Sequence, residues 1–204
     1  MMFRAAALAL AAATALPAAA QDRPPFPPQT PFRAEAAMPQ DVTGEVIYSG
    51  ERARVAMKTP AGPVTSYVDW PGRKVVMALD MQGMRMGMEV ELDSVGLPDP
   101  EDAEAERLGS DTIAGEDCTV WRMTAKEADG PAEICVTDDG IPLRAMVTHE
   151  GKQTRAFEVT RLERGPQEEA GLRPPAGLAV MKLDMGSLGA LGGLGGLPIP
   201  GMGR

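Results

Sequence analysis

Two cysteines, a run of methionines, one histidine and one doubly acidic turn are the side chains of this sequence best equipped for chemistry. Cys118 and Cys135 lie in two segments, Thr112 to Met123 and Ala132 to Thr137, on either side of the turn-like stretch Lys126-Glu127-Ala128-Asp129-Gly130. Such an arrangement reads as a β-hairpin. Opposed residues on antiparallel strands have Cβ atoms about 4.5–5.5 Å apart, which brings two sulfurs within bonding reach. Placing Cys118 opposite Cys135 sets Thr119 against Ile134, Val120 against Glu133 and Trp121 against Ala132. Side chains alternate along a strand, so Thr119, Trp121, Met123, Ile134 and Val136 then share an apolar face. Cys118, Val120, Arg122, Glu133 and Thr137 share a mixed one. The alternative to a disulfide is a pair of separate buried thiols, and the compartment decides between them.

The thioethers of Met81, Met84, Met86 and Met88 are spaced like those of exported proteins that bind Cu(I), a soft ion suited to soft ligands. Their phase points elsewhere. Met84, Met86 and Met88 occupy the apolar positions of an alternating run that continues into Val90 and Leu92, and Met57 and Met77 hold the same phase in neighbouring runs. The plainer reading is the lining of a core or cavity, and no metal ligands are assigned. Unbranched, polarizable methionine adapts to apolar partners of irregular shape. Met57, Met77, Met84, Met86, Met88 and Val90 are therefore the candidate residues for an apolar ligand, with Cu(I) handling as the second reading.

Nothing comparable supports catalysis. His149, the only histidine, sits in Thr148-His149-Glu150-Gly151, a strand end followed by a turn. A His–carboxylate pair without a nearby serine or free thiol is a fragment of a triad at most. Asp138-Asp139-Gly140-Ile141-Pro142 is what a tight turn between strands demands, with its carboxylates in solvent. No phosphate-binding glycine loop, zinc spacing or EF-hand occurs. No catalytic residue, cofactor or enzymatic activity is expected.

The elements that must carry these residues are strands. Ala53, Val55 and Met57 alternate with Arg52, Arg54 and Lys58; Val75, Met77 and Leu79 with Lys74, Ala78 and Asp80; Met84 through Leu92 with Arg85, Gly87, Glu89 and Glu91. Such runs mark antiparallel strands with one apolar and one wet face. Ser49-Gly50, Pro60-Ala61-Gly62, Pro71-Gly72 and Gln82-Gly83 punctuate them, and further strands follow near Ile141 to Thr148 and Thr154 to Leu162. Only the acidic segment Asp99 to Leu108 reads as helical. The expected fold is mainly β: a single curved antiparallel sheet, open or a half-barrel, with little helix and disordered termini.

Residues 1–20 read as a signal peptide. Arg4 supplies the positive end, Ala5 to Leu16 a short apolar stretch, and Ala18-Ala19-Ala20 a cleavage site near Ala20. That run is too short and alanine-rich for a membrane span, and no cysteine follows it to carry a lipid. The product is expected in the periplasm or secreted, where disulfides persist, which favours the Cys118–Cys135 bridge. Residues 21–40 are a Pro-rich leader or spacer, or a docking peptide; 41–184 form the half-barrel domain; 185–204 are a Gly/Leu-rich tail in which so much glycine opposes a stable helix. The net charge of −9, with positive charges scattered, argues against nucleic acid as a partner.

Two further segments carry a resemblance. Asp111 to Trp121, and Glu133 to Arg144 with its Cys135 and Asp139-Gly140-Ile141-Pro142-Leu143-Arg144, are similar to a bacterial exported family of unknown function. Its members carry an "aG…C…w" strand, a "C…dGi.lr" hairpin and a closing "P-aG-y…m" segment. The last corresponds to Pro175-Ala176-Gly177-Leu178-Ala179-Val180-Met181, with Leu178 where an aromatic is usual, and the likeness spans roughly residues 43 to 182. The family is similar in architecture to periplasmic lipoprotein carriers and their outer-membrane receptors, whose curved half-barrel and helical lid hold acyl chains. The resemblance implies a half-barrel that is not membrane-spanning and accepts lipid or lipoprotein acyl chains, although little helix is available here for a lid. A third reading is an envelope interaction protein, of unknown partner, working through leader and tail.

Overall fold

Segments that alternate with period two can satisfy their backbone N–H and C=O groups only by pairing with neighbours. The computed structural model describes residues 23–81, 84–92, 103–125 and 130–183, and shows where that pairing goes. Among them twelve strands form one sheet: β1 (Phe32–Ala37), β2 (Thr43–Tyr48), β3 (Arg52–Thr59), β4 (Gly62–Asp69), β5 (Lys74–Met81), β6 (Met84–Glu91), β7 (Glu104–Ile113), β8 (Glu116–Thr124), β9 (Ala132–Val136), β10 (Pro142–His149), β11 (Lys152–Arg164) and β12 (Ala179–Lys182). The lateral order is β12-β6-β5-β4-β3-β2-β1-β11-β10-β9-β8-β7. Every pair is antiparallel except β12 with β6, and β12 and β7 are left as open edges.

The sheet is bent. Phe32, Ala34, Tyr48 and Ala53 of β1–β3 share one buried cluster with Ile113, Cys118, Cys135 and Leu143 of β7–β10. The bend shows in Arg164 at the end of β11, which reaches Glu116 at the start of β8 at 2.8 Å although β10 and β9 lie between them. Arg164 pairs with Phe32 across β1, so that face is the inner one. The outer face of the same strands is charged: Arg54 donates to Glu45 at 2.8 Å, and Arg33 bonds the same carboxylate. Two hairpins turn on two residues with positive φ, Ala114-Gly115 (52° and 81°) and Glu150-Gly151 (49° and 74°). These are the mirror-image turns whose twist matches that of strands, and glycine takes the second left-handed position without cost.

Several expectations shift. The run Thr112 to Met123 is not one strand, because the Ala114-Gly115 turn assigns Thr112 and Ile113 to β7 and starts β8 at Glu116. From Glu104 onward the segment read as helical is strand β7, paired with β8; residues 99–102 lie outside the described part. Its acidic composition reflects an edge position, where charge discourages pairing with other chains. Strand β1 falls inside the segment read as leader: it starts directly after Pro31 and ends before Pro39, and in it Phe32, Ala34 and Ala36 alternate inward against Arg33 and Glu35.

The hairpin register also differs. Val120, not Cys118, lies opposite Cys135, and Trp121 opposite Ile134. A slip of two residues leaves every side chain on its expected face, so the sorting of the hairpin survives. Cys118 and Cys135 are nevertheless bonded, with Cα atoms 5.5 Å apart. The link runs diagonally, along the direction that strand twist shortens.

With the two cysteines at a sequence separation of 17, a Cys118→Ser/Cys135→Ser double variant is expected to lose about 3 kcal/mol of unfolding free energy. Urea denaturation of oxidised wild type against the variant measures it; coincident midpoints would mean that the link constrains nothing.

Candidate functional site

The candidate residues resolve into rows across the sheet. Cross-strand partners share a face, so the pairings Val46–Val55, Val55–Ser66, Ser66–Met77, Met77–Met88 and Met88–Met181 form one lateral row over β2 to β6 and β12. The next row is Gly44, Met57, Val64, Leu79, Met86 and Ala179. Both continue the inner face that carries Tyr48 and Ala53. Met57, Met77, Met86 and Met88 are half-buried there, Met181 is 53 % exposed, and none of them belongs to either buried cluster. Val90, in contrast, is only 6 % exposed and acts as packing. Met84 pairs with Met81 at the β5–β6 turn, and their side chains lie outside the described part.

The inner face thus has two halves. At the β1–β3 and β7–β10 end it is filled, with Ile141 and Leu143 fully buried. Toward β4, β5 and β6 it becomes a half-buried trough of aliphatic and thioether side chains. Strand β12 extends that face by pairing with β6, while on the opposite face Gly87 makes room for its neighbours: a Cβ there would come within 2.9 Å of Val180 and 3.0 Å of Leu178. A separate groove of about 460 Å³ opens among Glu35, Glu45, Arg54, Lys58 and Thr65, with Met57 among its lining residues. It is largely a feature of the charged face, not of the methionine rows.

The filled end is also strapped. Trp121, Met123 and Val136 form a second buried cluster on the opposite side of the hairpin from Cys118 and Cys135, and Phe26 of the Pro-rich segment packs onto it. That segment lies along the sheet: Gln29 N–H donates to the Asp139 carbonyl at 2.9 Å, Tyr48 Oη to the Pro28 carbonyl at 3.1 Å, and Gly165 N–H to the Pro31 carbonyl at 2.9 Å. Proline lacks an N–H to satisfy, so such a strap needs no ladder of its own. Gly140, at φ 87°, makes room for it; a Cβ would collide with the Pro25 carbonyl oxygen. Burial raises the pKa of the Tyr48 phenol, keeping it a donor.

Ion pairs brace the same end. Arg144 reaches Asp111 at 2.7 Å from the strand beside Cys135 to the strand beside Cys118, so the pair spans the disulfide. Its hydrogen bond to Arg144, then that from the Thr112 N–H, holds the Asp111 carboxyl below its ordinary range. Asp139, expected in solvent, is instead bound by Arg164 at 2.8 Å and accepts from Thr137 Oγ1 at 2.6 Å. Its pKa falls from 3.8 to about 2, chiefly through the Arg164 hydrogen bond. Arg164 also holds Glu116 at 2.8 Å, tying the end of β11 to the start of β8. No sequence signal announces this link, since a turn aspartate and a strand arginine carry no spacing rule.

No protein-family model matches the chain, and no curated protein sequence does. Among solved structures it is similar to an uncharacterized conserved protein from Thermus thermophilus, at 16 % identity and TM-score 0.59, covering 76 % of this chain and 91 % of that one. It is also similar to MucB, at 19 % identity and TM-score 0.51, covering 73 % of this chain but 58 % of MucB. A putative outer membrane lipoprotein-sorting protein domain from Vibrio parahaemolyticus is a much looser likeness, at 9 % identity and TM-score 0.32 over 70 % of this chain and 87 % of that one. The architecture implied by the resemblance, an open, curved half-barrel sheet, is the one observed. No helix among the described residues is long and apolar enough to cross a membrane. The Cys118–Cys135 bond fits an exported chain, because disulfides persist in oxidising compartments.

The depressed Asp139 carboxyl has a sign. It contributes stability above its unfolded value of 3.8, and that contribution is lost as pH falls toward about 2. Asp139→Asn is expected to cost up to about 1 kcal/mol at neutral pH, the scale of a surface pair, and to flatten the acid limb between about pH 4 and pH 2. Thermal melts across that range test it; an unchanged acid limb would remove Asp139 as its source.

Proposed function

We propose that this is an exported, periplasmic binding protein without a reaction of its own, and that its inner methionine-rich face takes the acyl chain of a lipid or lipoprotein. The observation that carries the reading is the pair of apolar rows ending at Met86, Met88 and Met181. They lie outside both buried clusters, only half covered, on the side toward which the sheet curls. Apolar surface left in this state favours an apolar occupant by about 25 cal/mol per Å² removed from water. Thioethers supply that surface without a fixed shape.

The similarity to MucB supports the fold alone. One structure of that protein is a complex with MucA(peri), which concerns a protein ligand. The leader is a poor candidate for such a role here, because residues 26 to 31 are already engaged with the chain's own sheet.

The purified full mature chain is expected to copurify with fatty acid or phospholipid in native mass spectrometry, or to take up a fluorescent acyl probe. Met77→Lys or Met88→Lys is expected to weaken uptake by about tenfold or more, since a charge would have to be desolvated with the ligand. A bare chain that takes up no probe would overturn the assignment.

A further inference from the structure

The structure brings together thioethers that sequence spacing did not. The local group Met81, Met84, Met86 and Met88 runs along one hairpin, but the lateral row at its middle is Met77 on β5, Met88 on β6 and Met181 on β12. Met181 comes from a segment far along the chain and enters through parallel pairing. Adjacent members of such a row have Cβ atoms about 5 Å apart. Methionine's flexible side chain allows three neighbouring sulfurs to converge above the middle strand. Met86, one pair along β6, stands beside them on the same face.

We propose that Met77, Met88 and Met181 form an all-thioether site for a soft monovalent ion of the Cu(I) class. Three neutral sulfur donors suit a soft, singly charged ion and disfavour harder divalent ions, which want nitrogen or oxygen. The choice of residue agrees. Strand positions favour β-branched and aromatic side chains, and Val46, Val55, Val64 and Val75 follow that rule on the same face while the row's far end does not. Nor does core packing account for these methionines: Met123 belongs to a buried cluster and Met77, Met88 and Met181 do not. The chain's two cysteines are joined to each other, so no thiolate competes for a soft ion.

The site lies on the face proposed for acyl chains, yet its failure can be told apart, because leucine replaces methionine in an apolar face but not as a ligand. The test is anaerobic Cu(I) titration of the full mature chain against a chromogenic chelator, with Ag(I) as a redox-inert second probe. One ion per chain is expected. Met77→Leu, Met88→Leu and Met181→Leu should each weaken binding by about tenfold or more, while Met146→Leu on β10 should not. Far-UV circular dichroism and thermal melts of the same three variants, expected to match the wild type, report that the sheet is still formed. No ion bound by the wild type, or equal affinity in the triple Leu variant, would overturn the site.

Discussion

Strand β1 is the joint on which the sheet depends. It pairs with β2 on one side and with β11 on the other, and it alone connects the arm formed by β2 to β6 and β12 with the arm formed by β7 to β11. Without it the chain holds two smaller sheets with no reason to curl toward each other. Its inward residues are Phe32, Ala34 and Ala36, all buried. The alanines let the sheet bend tightly there, and Phe32 stacks on Tyr48 with ring centroids 5.5 Å apart. A register shift between Glu35 and Ala36 against β11 adds local bend and twist at the same place.

Around that joint the two arms do different work. The β7–β11 arm is fastened repeatedly: a disulfide, the Arg144–Asp111 pair across it, Arg164 held between Asp139 and Glu116, and the proline strap over Trp121 and Val136. No single surface ion pair here is worth much. Several of them on elements already cross-linked lose little further entropy when they form, so they stiffen more than their count implies. Among the described residues, the other arm has no such fasteners on its inner face. It ends in a four-residue strand, β12, with Val180 and Met181 exposed. A rigid half and an adaptable half joined at β1 suit a protein that must keep its shape while admitting something between its walls.

How much of this was legible follows from the physics of each feature. Two-residue periodicity is local, so the faces of β3, β5 and β6, and with them Met57, Met77, Met86 and Met88, could be read directly. The disulfide was legible because two cysteines in adjacent alternating runs of an exported chain have few other partners. Its register was not, since a slip of two residues preserves every face. β1 was hidden because its apolar phase is mostly alanine and directly follows prolines. β7 was hidden because an edge strand takes its charges from solvent, which imitates an exposed helix. The convergence of Met181 on Met88, and of Arg164 on Asp139, rests on pairings between distant segments, and no local pattern encodes those.

The methionine rows are where local propensity and observed structure part. Valine at Met77, Met86 and Met88 would have favoured the strand, by up to about 1 kcal/mol in measured hosts. It would also have made the inner face continuous in type with Val46, Val55 and Val64. Sequences tend to be locally consistent with their fold, and departures concentrate where something besides folding is served. Here the departure is confined to one face of one arm, begins where the buried cluster ends, and runs to the open edge at β12. A merely structural account of methionine, as a filler of irregular gaps in a core, fits Met123 between Trp121 and its neighbours. It does not fit side chains left half in solvent on a regular sheet, where there is no gap of fixed shape to fill. What those positions share is a polarizable sulfur on a flexible stem, facing the space that the curled sheet partly encloses. The chemistry of the molecule is therefore to be sought in that space.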